Sequence, residues 1–314
     1  MELPGLSLQR FPGSRIDYPE DSGMVLKMAV QLPKLLRGIR QEHIFLKNLV
    51  RETGAGLVIS DNRYGCWHPG VKSVFLTHQL DIQVPGYLKW SSPLLRKAIY
   101  SFISKYDECW IPDAETECGL AGCLSHPPVI PLNCYYIGTL SRFSMVADHT
   151  GPLPCNAPDI FVLLSGPEPQ RSILESLIIN QLKGTAYTAI IAGGRPGSRE
   201  HEVIEGRITI FPHLDSSLIK FYLENAEYIV CRSGYSTLMD LASLGRSAIL
   251  IPTPGQTEQE YLAGNLSAKK IHYSAAQKEF RLEDAIKESS GYKGILLRND
   301  LKKLKERIRK LSTA

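Results

Sequence analysis

Short apolar segments alternate with longer amphipathic segments along most of this sequence, and the alternation predicts its elements. Apolar runs of about four to eight residues are typical of buried strands, whereas apolar positions that recur every three to four residues are typical of helices. Buried strands are therefore predicted at residues 57–61, 71–77, 109–112, 160–164, 189–192, 208–210, 228–231, 248–251 and 271–273, with a further candidate at 6–11. Helices are predicted at 24–51, 88–105, 281–287 and 300–311, and others begin near residues 170, 236 and 258. The alternation of strands and helices indicates an α/β fold with parallel sheets.

The chain is long enough for two domains of ordinary size, since it has 314 residues. Residues 146–158 hold three prolines and a polar cluster, which is typical of a linker. We therefore predict a first domain at 1–150 and a second domain at 151–314. The basic helix at 300–311 is expected to expose its lysines and arginines to solvent, and packing back on the first domain is the alternative.

Composition and charge narrow the class of protein only slightly. Apolar residues make up 43% of the chain and charged residues 22%, which predicts a packed globular core. The net charge of +4 does not demand nucleic acid as a partner, although it suits anionic substrates or an anionic membrane. Neither a signal peptide nor an apolar run of about 18 residues is present, so a cytoplasmic protein is expected. Peripheral membrane contact through the basic, aromatic segment 88–105 is an alternative to simple packing of that helix.

No metal site is predicted. Seven cysteines are scattered along the chain, and Cys118 and Cys123 are separated by the wrong spacing for a zinc knuckle.

Candidate chemistry is concentrated in residues 228–263. A strand there is followed by the turn Arg232-Ser233-Gly234 and then by a helix. Small residues allow backbone N–H groups to approach a ligand, and the positive end of the helix attracts an anion. Asp240, one turn into the helix, could accept hydrogen bonds from ribose hydroxyls, and Gln259 could bind a sugar on the same rim. The alternative is an ordinary tight turn with a helix cap.

The complete pattern resembles the nucleotide-sugar site of the family 28 glycosyltransferases, which have the GT-B fold of two Rossmann-like domains facing across a cleft. The resemblance rests on the following residues: Arg232, Ser233, Gly234, Thr237, Asp240, Gly245, Pro252 and Gln259. Two departures are visible, because Asp240 replaces the usual glutamate and Ser247 replaces an expected proline. The resemblance implies that the motif residues Arg232, Ser233, Gly234, Thr237, Asp240 and Gln259 bind the donor.

The resemblance also assigns roles elsewhere in the chain. His78 and Asp61 follow two predicted strands of the acceptor-side domain and are the candidate catalytic bases, although each could be a simple cap or loop residue. Arg142 corresponds to an arginine of the family's hinge. In the family's glycine-rich phosphate loop only two positions match, Ser165 and Gly166, because this chain has S-G-P-E-P there. His213 falls in the loop that flanks the base, where a structural role is the alternative.

The family's N-terminal glycine-rich segment has no counterpart here, so the first domain is expected to be incomplete. A missing βα unit would expose a sheet edge and its apolar face; the alternative is a degenerate relative. The implied function is transfer of a sugar from a UDP-sugar, similar to UDP-GlcNAc, to a glycan or lipid-linked acceptor of the cell envelope. Inversion, independence of metal and the absence of a cofactor apart from the donor are implied as well. The alternatives are a non-catalytic nucleotide-sugar-binding subunit and a UDP-sugar epimerase or hydrolase.

Overall fold

The computed structural model describes residues 7–12, 24–84, 86–116, 119–195, 201–297 and 301–313. Its helices are α1 (Met24–Thr53), α2 (Ser92–Ile103), α3 (Gln170–Leu182), α4 (Ser216–Asn225), α5 (Tyr235–Leu244), α6 (Thr257–Ala268), α7 (Leu282–Ser289) and α8 (Lys302–Thr313). Its strands are β1 (Leu57–Asp61), β2 (Lys72–Leu76), β3 (Glu108–Ile111), β4 (Cys134–Tyr136), β5 (Ile160–Leu163), β6 (Ala189–Ala192), β7 (Glu202–Ile204), β8 (Ile208–Phe211), β9 (Tyr228–Cys231), β10 (Ile249–Leu250) and β11 (Tyr273–Ser274). The predicted α/β class is confirmed.

The strands form two sheets. The first has four parallel strands in the order β1-β2-β3-β4, and the second has seven strands in the order β11-β10-β9-β5-β6-β8-β7. In the second sheet only β7 is antiparallel to its neighbour. The chain leaves β5 toward one edge of this sheet and later returns to β9 on the other side. The carboxyl ends of β5 and β9 therefore flank a switch point, where parallel sheets form ligand-binding crevices.

The core of the second sheet occupies both of its faces. All four residues of β5 are buried, and they divide between two apolar clusters. One cluster includes Phe161 and packs against α4 and α5, while the other includes Val162 and packs against α3 and α7. A strand that is buried on both faces has a continuous apolar sequence rather than an alternating one. This explains why the apolar runs identified these strands correctly.

The segments that follow β3 and β4, together with α8, connect the sheets. The segment that follows β3 places Leu120, Ala121 and Leu124 in the same apolar cluster as residues of the second sheet. At the end of the chain, α8 packs on the first sheet, where Leu304 and Leu311 join the cluster of Trp110. Apolar packing therefore contributes to the association of the sheets.

Four local features differ from the predictions. No strand was predicted at the short, half-buried β4. Residues 7–11 form no strand, although a strand was predicted there. The strand β7 was missed because its residues are mostly exposed and lack an apolar run. The helix α4 was also missed, although Asp215 caps it by accepting N–H bonds from Ser217 and Leu218. Cys118 and Asp300, which belong to two of the sequence predictions, lie outside the described residues.

Candidate functional site

The N-terminus of α5 lies at the switch point between β5 and β9. Gly234 is the residue that precedes the helix, and no side chain caps it. The hydroxyl of Ser233 is 2.8 Å from the carbonyl oxygen of Gln259, to which it donates, so it does not compete for the first helical N–H groups. A Cβ placed on Gly234 would meet no atom within 4 Å. The start of the helix therefore lies beside open space among the described residues, and the positive end of its dipole suits an anion.

Arg232 lies beneath this turn and is buried. Its guanidinium donates to three backbone carbonyls, those of Ile251 (3.1 Å), Pro252 (3.1 Å) and Gln170 (2.8 Å). Burial lowers the pKa of Arg232 to about 10. The resemblance assigned Arg232 to the donor, but in this structure its contacts tie the segment after β10 to the start of α3. It would act on a bound anion through its charge rather than by direct contact.

Gln259 on α6 supports the neighbouring segment. Its side-chain oxygen accepts the N–H of Thr253 at 2.9 Å, and its side-chain nitrogen donates to Gln256. The segment after β10 is thus held against the first turn of α6. Since these bonds occupy the Gln259 amide, contact with a sugar requires a rearrangement of its side chain.

Asp240 and Arg142 are in direct contact. The carboxylate of Asp240 accepts from Arg142 Nε at 2.8 Å and from the Ser141 hydroxyl at 2.7 Å. Burial raises the pKa of Asp240 above its ordinary value, while Arg142 and Ser141 oppose the shift. Asp240 and Arg142 line a cleft of about 320 Å³ together with Leu140, Ser236 and Thr237. A carboxylate has about four acceptor sites, so ribose hydroxyls can still be accommodated.

His78 reaches the second sheet from the end of β2. Its ring stacks on Tyr235 with the centroids 4.0 Å apart, and its Nε2 lies 2.7 Å from a carboxylate oxygen of Glu258. The other carboxylate oxygen of Glu258 accepts from Gln79. Tyr235 is the first residue of α5, and its hydroxyl donates to the carbonyl oxygen of Pro112 at 2.8 Å. The structure therefore joins His78 to the helix end that would bind the anion.

The remaining predicted site residues differ in their distance from the start of α5. Asp61 ends the edge strand β1 and lines a different groove, of about 570 Å³, between β1, α1 and residues 7–11. Ser165 and Gly166 follow β5 at the switch point, and Gly166 has a φ of +102°. His213 is exposed on the segment between β8 and α4. The structure thus groups His78 with the donor-side residues and leaves Asp61 in another groove.

Two residues in and around the candidate site were missed from the sequence. Glu258 was noted only as a helix start, although an acidic residue beside Gln259 on the ligand rim was a usable signal. Asp113, at the end of β3, is buried and accepts from the N–H groups of Leu120 and Ala121 and from the Ser125 hydroxyl. It shapes the segment that enters the core of the second sheet. A polar residue directly after a buried strand was the signal for Asp113.

Comparisons with known proteins agree with this architecture. Residues 198–311 match the glycosyltransferase family 28 C-terminal domain. No curated protein sequence matches the chain significantly. The fold is shared with the glycosyltransferase of kitacinnamycin, at 12% identity and a TM-score of 0.59, over 94% of this chain and 82% of that one.

Two further solved structures are similar in fold. The glycosyltransferase SnogD from Streptomyces nogalater has 12% identity and a TM-score of 0.53, over 94% of this chain and 78% of its own. A UDP co-structure of S. aureus MnaA has 10% identity and a TM-score of 0.51, over 86% of this chain and 77% of its own. At such low identity these likenesses establish the fold, with two Rossmann-like domains, and not the substrate.

Proposed function

We propose that this chain, which has a GT-B fold, is a glycosyltransferase of the family 28 type. The proposed reaction is transfer of a sugar from a UDP-sugar to an acceptor hydroxyl with inversion. The observation that carries the proposal is the stacking of His78 on Tyr235, the first residue of α5. A basic side chain of one domain thereby lies beside the anion-binding helix end of the other. Transfer needs this pairing of a base with a site for the leaving group.

The leaving group of the proposed reaction is UDP. Its diphosphate would bind at the N-terminus of α5, where Gly234 leaves open space and no side chain caps the helix. Helix N–H groups and the buried charge of Arg232 would stabilise the negative charge that develops as the bond breaks. Thr237, Asp240 and Arg142 line the adjoining cleft, which we assign to the ribose. These groups stabilise the charge without a metal ion, and the proposal is a metal-independent transfer.

The proposed base is His78. Its Nε2–H donates to the Glu258 carboxylate, which leaves the lone pair on Nδ1. Nδ1 would take the proton of the acceptor hydroxyl while the acceptor oxygen forms a bond to the anomeric carbon. The bond from that carbon to the diphosphate oxygen breaks on the opposite face, so the configuration inverts. A carboxylate that orients a histidine also stabilises the imidazolium that forms.

The acceptor is proposed to be a glycan or a lipid-linked sugar. Trp90 and Leu94, beside and within α2, have 76% and 69% of their surface exposed, and Lys89 and Lys97 are exposed with them. Aromatic, aliphatic and basic side chains together suit the interface of an anionic membrane. Among the described residues no helix is long and apolar enough to span a bilayer. Sedimentation with vesicles containing anionic lipid tests the contact, and the double variant Trp90→Ala/Leu94→Ala should weaken it.

Titration calorimetry tests the donor. UDP and UDP-GlcNAc should bind saturably, GDP and TDP should bind much more weakly, and Asp240→Ala should lose UDP. Ser141→Ala is the matched control, because it also breaks the contact between Ser141 and Asp240 but keeps the carboxylate. Preference for GDP or TDP would contradict the assignment of a uridine donor.

Turnover separates the transferase from its alternatives. Release of UDP from UDP-GlcNAc only when an acceptor is added would support transfer. Release without an acceptor would indicate a hydrolase, and appearance of an epimeric UDP-sugar would indicate an epimerase, whose fold is related. Binding without any reaction would favour a nucleotide-sugar-binding subunit.

A further inference from the structure

Thr253 carries a buried hydroxyl that has no partner within the part of the chain that the structure describes. The residue follows β10 and only 1% of its surface is exposed. Its backbone is fully engaged, because its N–H donates to Gln259 and its carbonyl accepts from the N–H of Gln256 at 3.0 Å. Buried hydroxyls without partners are rare in proteins because the loss of water is not compensated. Packing alone does not explain the threonine, because a valine would fill the same space equally well.

The hydroxyl is directed at the switch point. A Cβ placed on Gly166 would lie 3.8 Å from Thr253 Oγ1, so this oxygen faces the segment that follows β5. The strand β9 lies between β5 and β10, and it leads into Gly234 and the uncapped end of α5. The unpaired hydroxyl therefore follows the strand next to the one that leads into the start of α5.

The backbone near Thr253 contains two glycines above a segment that Arg232 holds in place. Gly166 has a φ of +102°, a conformation that side chains rarely adopt, and Gly234 has open space where a side chain would be. Arg232 fixes the floor by bonding the carbonyls of Ile251, Pro252 and Gln170. A rigid floor with small residues above it positions the Thr253 hydroxyl for a ligand at little entropic cost.

We infer that Thr253 is a donor-binding residue whose hydroxyl donates a hydrogen bond to an oxygen at the diphosphate and sugar end of the nucleotide sugar. The inference rests on the proposed function and extends it, because Thr253 belongs to none of the motif positions. We assign the hydroxyl to the sugar side because Thr253 is bonded to Gln259, the proposed sugar-binding residue, and does not line the cleft of Asp240.

Calorimetry on Thr253→Val and Thr253→Ser tests the inference with UMP and UDP-GlcNAc as probes. Valine has nearly the same shape without the hydroxyl, whereas serine keeps the hydroxyl. Thr253→Val should bind UDP-GlcNAc roughly tenfold more weakly, the loss expected for a hydrogen bond to a polar or charged group. Its affinity for UMP should not change, and Thr253→Ser should bind UDP-GlcNAc within about twofold of the parent chain.

Thermal unfolding without ligand supplies an independent measurement. Removing an unpaired buried hydroxyl should leave the Tm of Thr253→Val equal to or above that of the parent chain. A clearly lower Tm would overturn the inference, because it would show that the hydroxyl stabilises the fold itself. Unchanged affinity for UDP-GlcNAc, or an equal loss for UMP, would also overturn it while leaving the proposed function intact. Failure of the parent chain to bind any uridine nucleotide would instead contradict the proposed function together with this inference.

Discussion

The two sheets differ in how completely they are covered. In the second sheet, β5, β6 and β9 are almost entirely buried, and helices cover both faces. In the first sheet, β1 is an edge strand whose residues alternate between buried and exposed. Its Leu57 and Ile59 have 38% and 51% of their surface in solvent. The edge strand β1 is therefore covered much less than the central strands of the second sheet.

The difference in coverage between the sheets bears on two groups of candidate residues, those proposed to bind the donor and the proposed base His78. Most of the proposed donor-side residues belong to the second sheet and its helices, although Asp240 also bonds Ser141 and Arg142, which follow β4 of the first sheet. His78 belongs to the less covered sheet, yet its contacts are made with Tyr235 and Glu258 of the second domain. The proposed catalytic arrangement would therefore depend on association of the two domains, which closure of a cleft can control. The following predictions test this division, beginning with the largest expected effect.

Replacing His78 should have the largest effect on turnover. His78→Ala should lower kcat by roughly 10²- to 10⁴-fold, the contribution expected of a positioned base, while UDP affinity stays unchanged. Steady-state kinetics and calorimetry measure the two quantities, and His68→Ala serves as a control histidine of the same domain. A comparable loss in Asp61→Ala, with full activity in His78→Ala, would transfer the role of the base to Asp61.

Asp113 should be the residue on which the association of the domains depends most. Asp113→Ala removes the acceptor for the Leu120 and Ala121 N–H groups and the Ser125 hydroxyl, all of them buried with it. We expect a loss of about 3 kcal/mol or more in the free energy of unfolding. Urea denaturation measures this loss.

Glu115 offers a control from the same segment. Its contact is a surface ion pair with Lys303, so Glu115→Ala should change the stability by less than about 1 kcal/mol. Equal effects of the two substitutions would show that the bonds of Asp113 do not organise the segment.

His272 should make the second domain sensitive to acid. Burial lowers the pKa of His272 to about 4, and its Nδ1 accepts the Ala248 N–H at 3.2 Å, which requires the neutral ring. The unfolded chain binds the proton of this histidine more tightly than the folded chain does. The free energy of unfolding should therefore have its full value above the ordinary pKa of 6.5 and decrease as the pH falls toward 4. The loss should approach about 3 kcal/mol. His272→Asn should remove this part of the pH dependence in urea denaturation, and an unchanged slope would contradict the assignment.

Glu258 should have a moderate effect that is confined to the chemical step. Glu258→Gln keeps the size of the side chain but no longer stabilises a charged His78, so kcat should fall roughly tenfold with unchanged UDP affinity. Glu260→Gln is the control on the same helix, since Glu260 accepts instead from the Gly255 N–H. A loss of UDP affinity in Glu258→Gln would assign Glu258 to donor binding.

The smallest effect is expected on the exposed edge. Ile59→Ala should change the free energy of unfolding by less than about 0.5 kcal/mol, because its side chain is half exposed. The matched change Ile191→Ala removes a fully buried side chain of β6 and should cost about 2–5 kcal/mol. A large loss at Ile59 would mean that β1 is covered in solution.

Periodicity predicted most of the fold because local physics suffices for strands that are buried on both faces. The strand predictions at 189–192 and 228–231 match β6 and β9 residue for residue. The prediction failed for strands that are not buried. The strand β7 is an example, because its residues are mostly exposed and form no apolar run. In the described part of the segment at 6–11 the prediction failed for another reason, since Leu8 is 84% exposed and Phe11 packs against α1 without belonging to a strand.

The sequence by itself determined the donor-side motif, because the turn, Gly234 and Asp240 are close along the chain and one strand and one helix fix their arrangement. It also determined that His78 would follow a strand. Only the tertiary structure decided that Glu258, 180 residues further along, approaches His78, and that Asp240 bonds Ser141 and Arg142. The unpaired Thr253 hydroxyl was likewise invisible in the sequence, because the lack of a partner depends on every group that packs around it. Contacts between distant segments depend on how whole domains pack, and a local pattern carries no information about that packing.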